Sequence, residues 1–152
     1  MMTTDSSWRL MGIEDERGKA VYRIMMEKPH EVDCTKFTEN VSIHWHYAET
    51  GLPDTGVSDQ LREFEGLVTS LDDLTNNSFL IFVFSGRGKR EWNYCAKDYD
   101  QFMEMLNKAL SSYSGLPIEI EHSPDPDWEY WQSVRDYVTE ENNDANATVD
   151  KL

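Results

Sequence analysis

Residues 79 to 96 read FLIFVFSGRGKREWNYCA, and the way this stretch pairs decides the fold. Phe79 to Phe84 is an unbroken apolar run without alternation, so the strand it forms is expected to be covered on both faces. The following SGRGK carries the glycines and charges of a tight turn. From Arg90 to Ala96 the pattern alternates, with Trp92 and Tyr94 on one side and Glu91, Asn93 and Cys95 on the other. The two runs predict a β-hairpin in mid-chain.

Working outward, Val41 to Ala48 (VSIHWHYA) alternates as a half-buried strand: Val41, Ile43, Trp45 and Tyr47 face one way, Ser42, His44 and His46 the other. Turn formers at 51 to 56 (GLPDTG) lead into a helix expected from about Ser58. Its stripe is Leu61, Phe64, Leu67, Val68, Leu71 and Leu74, and Asn76 and Asn77 stop it. Beyond the hairpin, Asp98 with Gln101 forms a capping box ahead of Phe102, Met103, Leu106, Ala109 and Leu110. Gly115 and Pro117 end that second helix, and Ile118 and Ile120 alternate with Glu119 and Glu121 in a short strand. At the N-terminus, Trp8 to Ile13 and Ala20 to Met26 flank EDERGK as a second hairpin, closed by Pro29. Near the other end, Asp125 as cap and Pro126 as first helical residue open a short helix bearing Trp128, Trp131, Val134 and Val138. Residues 139 to 152 are polar and predict a disordered acidic tail.

Between the terminal elements the order is strand, helix, strand, strand, helix, strand, which predicts an α+β, ferredoxin-like βαββαβ two-layer sandwich over one domain, residues 1 to 138. Right-handed crossovers put both helices on one face of an antiparallel sheet. The expected core is Val41, Ile43, Trp45 and Tyr47 beneath the first helix and Phe102, Leu106 and Leu110 of the second. In this topology Phe79 to Phe84 lies at a sheet edge, too apolar to be left open, so the N-terminal hairpin is expected to extend or cap it.

The 152 residues hold 14 Lys and Arg against 29 Asp and Glu, a formal charge of -15. That charge disfavours nucleic acid and anionic membranes and favours a basic protein partner. The first residues, MMTTDSSWRLMG, lack the pattern of a secretory signal, and no apolar run spans a bilayer, so a cytoplasmic location is expected. Cys34 and Cys95 are then free thiols, and neither has a metal-binding spacing.

The segments IHWHYAETGLPD, LREFEGLVTSLDD, FLIFVFSGRGKREWNYCAKD and DPDWEYW together resemble a bacterial family catalogued as domain of unknown function 695, over roughly residues 8 to 138. Gly51-Leu52-Pro53 and the region of Asp127 and Trp128 carry the most specific likeness; neither is a catalytic signature. Some members of that family bear a further domain resembling the protein inhibitor of ribonuclease E (the RraB type). The resemblance therefore implies a regulator that binds another protein.

Few residues suggest chemistry. His44 and His46, two apart on a strand, project side by side and could offer two imidazoles to Zn²⁺ if His30, His122 or Glu121 supplied a third ligand. The alternative use is as polar residues on the outer sheet face. Arg87, Lys89 and Arg90 gather positive charge at a glycine turn whose N–H groups could hold an anion. Trp92 and Tyr94 beside it would make an RNA stacking platform, but charge and the missing ribonucleoprotein pattern favour burial. Trp128 and Trp131 could line a ligand groove or anchor the last helix. Glu63, Glu65, Asp72 and Asp73 are expected on the solvated side of the first helix. No nucleophile elbow, phosphate-binding Gly-Lys loop, metalloprotease helix or dinucleotide fingerprint occurs, and no cofactor is expected.

The reading that follows is a non-enzymatic binding or regulatory domain acting on a protein partner. Its alternatives are a small metal-dependent or small-molecule enzyme using His44 and His46, and anion or RNA binding through the turn at Arg87 to Arg90. An uncovered face or edge strand leaves a homodimer open.

Overall fold

The computed structural model describes residues 7 to 144, with the backbone alone at 71–75 and 142–144. Six strands, β1 (Trp8–Asp15), β2 (Gly18–Met25), β3 (Glu39–His46), β4 (Ser78–Gly86), β5 (Lys89–Ala96) and β6 (Ile118–Pro124), form one antiparallel sheet in the order β1-β2-β4-β5-β3-β6. Helix α1 (Thr55–Thr75) joins β3 to β4, α2 (Tyr99–Ala109) joins β5 to β6, and α3 (Glu129–Asp144) follows β6. The N-terminal hairpin extends the sheet: β2 pairs with β4 from Ala20↔Gly86 to Ile24↔Phe82, so β4 has a neighbour on each side.

Each side of the sheet carries its own apolar core. On one, Val41, Ile43, Trp45, Val83, Trp92 and Tyr94 meet Leu61, Phe64 and Val68 of α1 and Phe102, Met105 and Leu106 of α2. On the other, Met11, Ile13, Tyr22, Ile24, Ile81, Phe82 and Phe84 meet Trp128, Trp131 and Val138 from the α3 region. The molecule therefore has three layers rather than the two expected, because the indoles of the closing segment cannot stay in water and the second sheet face is the apolar surface within their reach. The unalternating β4 is explained by the same geometry. A bulge between Leu80 and Phe82 lets Ile81 and Phe82 both face the α3 side, while Leu80 and Val83 face the other.

Helix boundaries follow from side-chain caps. The Asp54 carboxylate accepts from Val57 N–H at 2.8 Å and starts α1 at Thr55, three residues before the expected Ser58. Asn76, with φ 55°, ends it in the left-handed conformation. Asp98 caps α2 by accepting from Gln101 N–H at 3.1 Å. Asp125 caps α3 through Glu129 and Tyr130 N–H, but Pro126 is not its first helical residue. Instead Trp128 takes a φ of 59°, which turns its indole inward so that Nε1–H donates to the Phe37 carbonyl at 3.0 Å. The helix then runs to Asp144, taking in the first six residues of the tail expected to be disordered from 139; the rest of that tail, 145–152, lies outside the described residues. The side chains of Leu71, Asp72, Asp73 and Leu74, expected on α1, also lie outside them.

The β4–β5 turn is clamped by the segment after β3. Tyr47 and Ala48 N–H both donate to the Gly88 carbonyl (2.9 and 3.1 Å), and Gly88 N–H donates to the Gly51 carbonyl (2.9 Å). Gly88 has φ 84°, and a Cβ there would collide with the Ala48 carbonyl. Gly88→Ala is thus expected to destabilise the protein by about 2 to 4 kcal/mol, measured by urea denaturation. A chain beginning at residue 29 would leave the β4 edge bare and is expected to aggregate; a soluble monomer with a cooperative melt would contradict that role for the hairpin.

Candidate functional site

On the α3 side of the sheet, the centre of β3 and β5 is polar. Ser42 Oγ–H donates to Asn93 Oδ1 at 2.6 Å, and Asn93 Nδ2–H donates to Glu91 Oε2 at 2.7 Å. The Tyr130 hydroxyl, reaching over from α3, donates to the same Glu91 oxygen at 3.1 Å. Glu91 is buried, and Lys89 Nζ and His44 Nδ1 lie 3.6 and 3.7 Å from its other oxygen. This arrangement satisfies polar groups that the sheet register forces between two apolar layers.

His44 is therefore not on an open outer face: its side chain is 12% exposed, with Nε2 3.0 Å from Glu121 Oε1. That distance lies within ion-pair range, but among the described residues His44 Nε2 has no hydrogen-bond partner. His46, half exposed, faces Glu119 at 3.6 Å. His122 does not join them. It stacks on Tyr99 at 3.5 Å and faces Glu39, on the side of the sheet that carries Ile118 and Ile120 into the α1/α2 core. His30 lines a shallow depression with Cys34 and Trp131. Among the described residues no group of three or more His, Cys, Asp or Glu side chains is placed to hold a metal ion.

The basic turn is also divided by the sheet. Arg87 reaches Asp15 of β1 at 2.8 Å and lies over the Phe84 ring, and Lys89 stays near Phe84 and Glu91. Backbone donation from Arg17, and then the charge of Arg87, hold the Asp15 carboxyl below its ordinary range. Arg90 projects to the opposite side, where its Nε–H donates to Ser85 Oγ at 2.7 Å. The Gly88 N–H that an anion would need is spent on Gly51. The structure thus does not bring Arg87, Lys89 and Arg90 together around one ligand.

Trp92 and Tyr94 are fully buried beneath α1 and α2, and the Trp92 indole donates to Glu65 at 2.9 Å. Glu65, expected on a solvated helix face, is 19% exposed and also binds Arg23 at 2.6 Å. Trp128 and Trp131 are each 2% exposed and pin α3 by their indole N–H groups to Phe37 and Met25 carbonyls. Neither Cys34 nor Cys95 is in a disulfide, and burial pushes the Cys34 thiol up.

What sequence reading missed is a cleft of about 500 Å³ at the end of β3. Trp45, Phe64 and Leu67 form its apolar wall, Tyr113, Leu116 and Pro117 close it from the connection after α2, and His46, Gln60 and Glu63 bring polar groups to it. Tyr113 is 44% exposed, an aromatic ring left partly in water. The alternation of 41 to 47 marked Trp45 as core, but nothing local shows that the 113–117 segment returns beside it.

The phenols titrate with a readable sign. Burial, then the charge field of Tyr137, Glu91 and Asp15 against that of Arg87, moves Tyr22 up from 10.0 to about 12. Tyr130 is raised too, by burial and then by Glu91, to which it donates. Both groups stay neutral in the folded protein where the unfolded chain has begun to ionise. Their stabilisation is therefore complete below pH 10 and lost as pH climbs toward 12. Denaturant melts across that window should show a steep fall, and Tyr22→Phe should remove on the order of 2 kcal/mol of the pH-dependent part.

No helix among the described residues is long and apolar enough to cross a membrane. Comparison with curated proteins returns no match. The pattern of one family covers residues 6–134, from the edge of β1 into α3 and across both cores and the clamped turn. On that match, this chain belongs to DUF695, a family of unknown function.

Proposed function

We propose that this chain is a non-enzymatic binding domain for a basic protein segment, received at the cleft beside β3. The observation that carries the reading is the pairing of an aromatic wall, Trp45, Phe64 and Tyr113, with the Glu63 carboxylate in the same lining. Glu63 lines the cleft, and Glu119, whose side chain is 75% exposed, faces the His46 that lines it too. Glu121 continues the row of Glu119 along edge strand β6, on the sheet face opposite the aromatic wall. A Lys or Arg side chain suits such a site twice, since its aliphatic stem packs on aromatic rings while its charge meets carboxylates. The chain's charge of -15 would speed encounter with a basic partner.

The imidazoles of His44 and His46 each face a β6 glutamate, which supports a role in shaping this acidic edge rather than in proton transfer. We also read β3-α1-β4-β5-α2-β6 as a ferredoxin-like unit enlarged by a hairpin and α3. In support, its four strands stand in the order β4-β5-β3-β6 and its two helices enter one core.

The test is titration of the full chain with a peptide alternating Arg or Lys with aromatic residues, followed by calorimetry and by the Trp45 indole resonance. Binding should weaken roughly tenfold in Glu63→Lys and again in Glu119→Lys, and should fall with added salt. Equal affinity in both folded variants, or resonance shifts confined to other surfaces, would count against this site.

A further inference from the structure

A second pocket, sharing no residue with the cleft, lies where the helices stop covering the sheet. Helix α1 meets β2 through the Glu65–Arg23 pair but does not cover the rest of the helix-side face of the N-terminal hairpin, which is left as a floor. Its composition follows from register. One cross-strand row holds Leu10, Arg23 and Val83, and the next holds Val21, Ser85 and Arg90. Leu52 and Pro53 overhang it from the loop that clamps the Gly88 turn, and the volume is about 310 Å³.

The charges here run against the acidity of the chain. Arg90 feels the charges of Glu65, Arg23 and Arg62, with Asp59 paired to Arg62 at 3.1 Å. Glu65 is committed to Arg23 and to the Trp92 indole. The guanidinium of Arg90 is held by its Nε–H bond to Ser85, and among the described residues no carboxylate lies within ion-pair distance of it. Burial disfavours its charged form, with Glu65 the main opposing influence, yet arginine remains protonated. A half-buried cation with unused donors is a standing demand for an oxyanion. The rim adds a second demand, because Leu10 and Leu52 are 61% and 43% exposed and both line this pocket.

We propose that the pocket binds a small organic oxyanion, a carboxylate or phosphate monoester, whose head group meets Arg90 and Arg23 and whose short apolar body lies against Leu10, Leu52 and Val21. Arg90 supplies the free fork, Arg23 adds charge while keeping Glu65, and the hydroxyls of Ser58 and Ser85 are within the same lining. Neither arginine shares the acidic cleft at β3, so this site stands or falls separately from the binding of a basic segment.

Four probes, hexanoate, hexyl phosphate, inorganic phosphate and hexylamine, should be titrated into the full chain, with calorimetry and the Arg90 Nε–H and Leu10 and Leu52 methyl resonances as readouts. Hexanoate or hexyl phosphate should bind and move all three signals, and the stronger of the two names the head group. Inorganic phosphate should bind at least about tenfold more weakly, and hexylamine should not bind. Arg90→Gln should cost about tenfold in affinity. Leu52→Asp, at an exposed position that leaves the core untouched, should abolish binding even if Arg90→Gln proves unstable. Saturation without movement of Arg90 and Leu52, equal binding in folded Arg90→Gln or Leu52→Asp, or no binding of any anion would overturn the proposal.

Discussion

Phe79, Ile81, Phe82 and Phe84 enter one apolar core while Leu80 and Val83 enter the other, and both sets belong to a single strand. A strand of this kind cannot have a solvated face, because either face turned to water would expose several large side chains. The three-layer arrangement follows from that constraint. Helices α1 and α2 cover one side, α3 covers the other, and the N-terminal hairpin occupies the edge that β4 would otherwise present. The bulge near Ile81 adjusts how many β4 side chains each layer receives.

The same economy of surface explains the two recesses. A pair of helices spans four strands, and the sheet has six, so coverage runs out toward β1 and β2 on the α1 side. Along the N-terminal half of the same helix, the connection after α2 approaches Trp45 without filling the gap, which leaves the cleft of about 500 Å³. Both recesses border the segment 47–58, whose carbonyls and amides are tied to the Gly88 turn. The Gly51-Leu52-Pro53 motif thereby has a physical account: Gly51 receives the Gly88 N–H, and Leu52 and Pro53 overhang the basic pocket.

Electrostatics are unevenly spread despite the large net charge. The acidic groups that line the β6 edge are exposed, where water screens them, whereas Glu65 and Glu91 sit inside and take hydrogen bonds from Trp92, Arg23, Asn93 and Tyr130. Two carboxylates thus organise one polar junction on each side of the sheet. Helical periodicity alone placed Glu65 among solvated residues, since it cannot register that the β2 arginine and the β5 indole meet there.

Much of the architecture was legible from one dimension. Alternation in 41–47 and 90–96, the apolar run at 79–84, the Asp98 cap and the glycine turn each depend on neighbours within a few residues, and such signals survive in the sequence. Local spacing also marked His44, His46, Arg87, Lys89 and Arg90 as conspicuous. What these residues face was decided only when distant segments met. The sheet separates His122 from His44 and Arg90 from Arg87, a loop from 47–51 takes the amide an anion would need, and segments 10, 52 and 90 close one pocket. The sequence by itself determined which residues alternate, cap and turn, because those are contests between a residue and its immediate chain. Which side chains share a site was left to the tertiary structure, because strand order and helix coverage are set by the burial of whole faces.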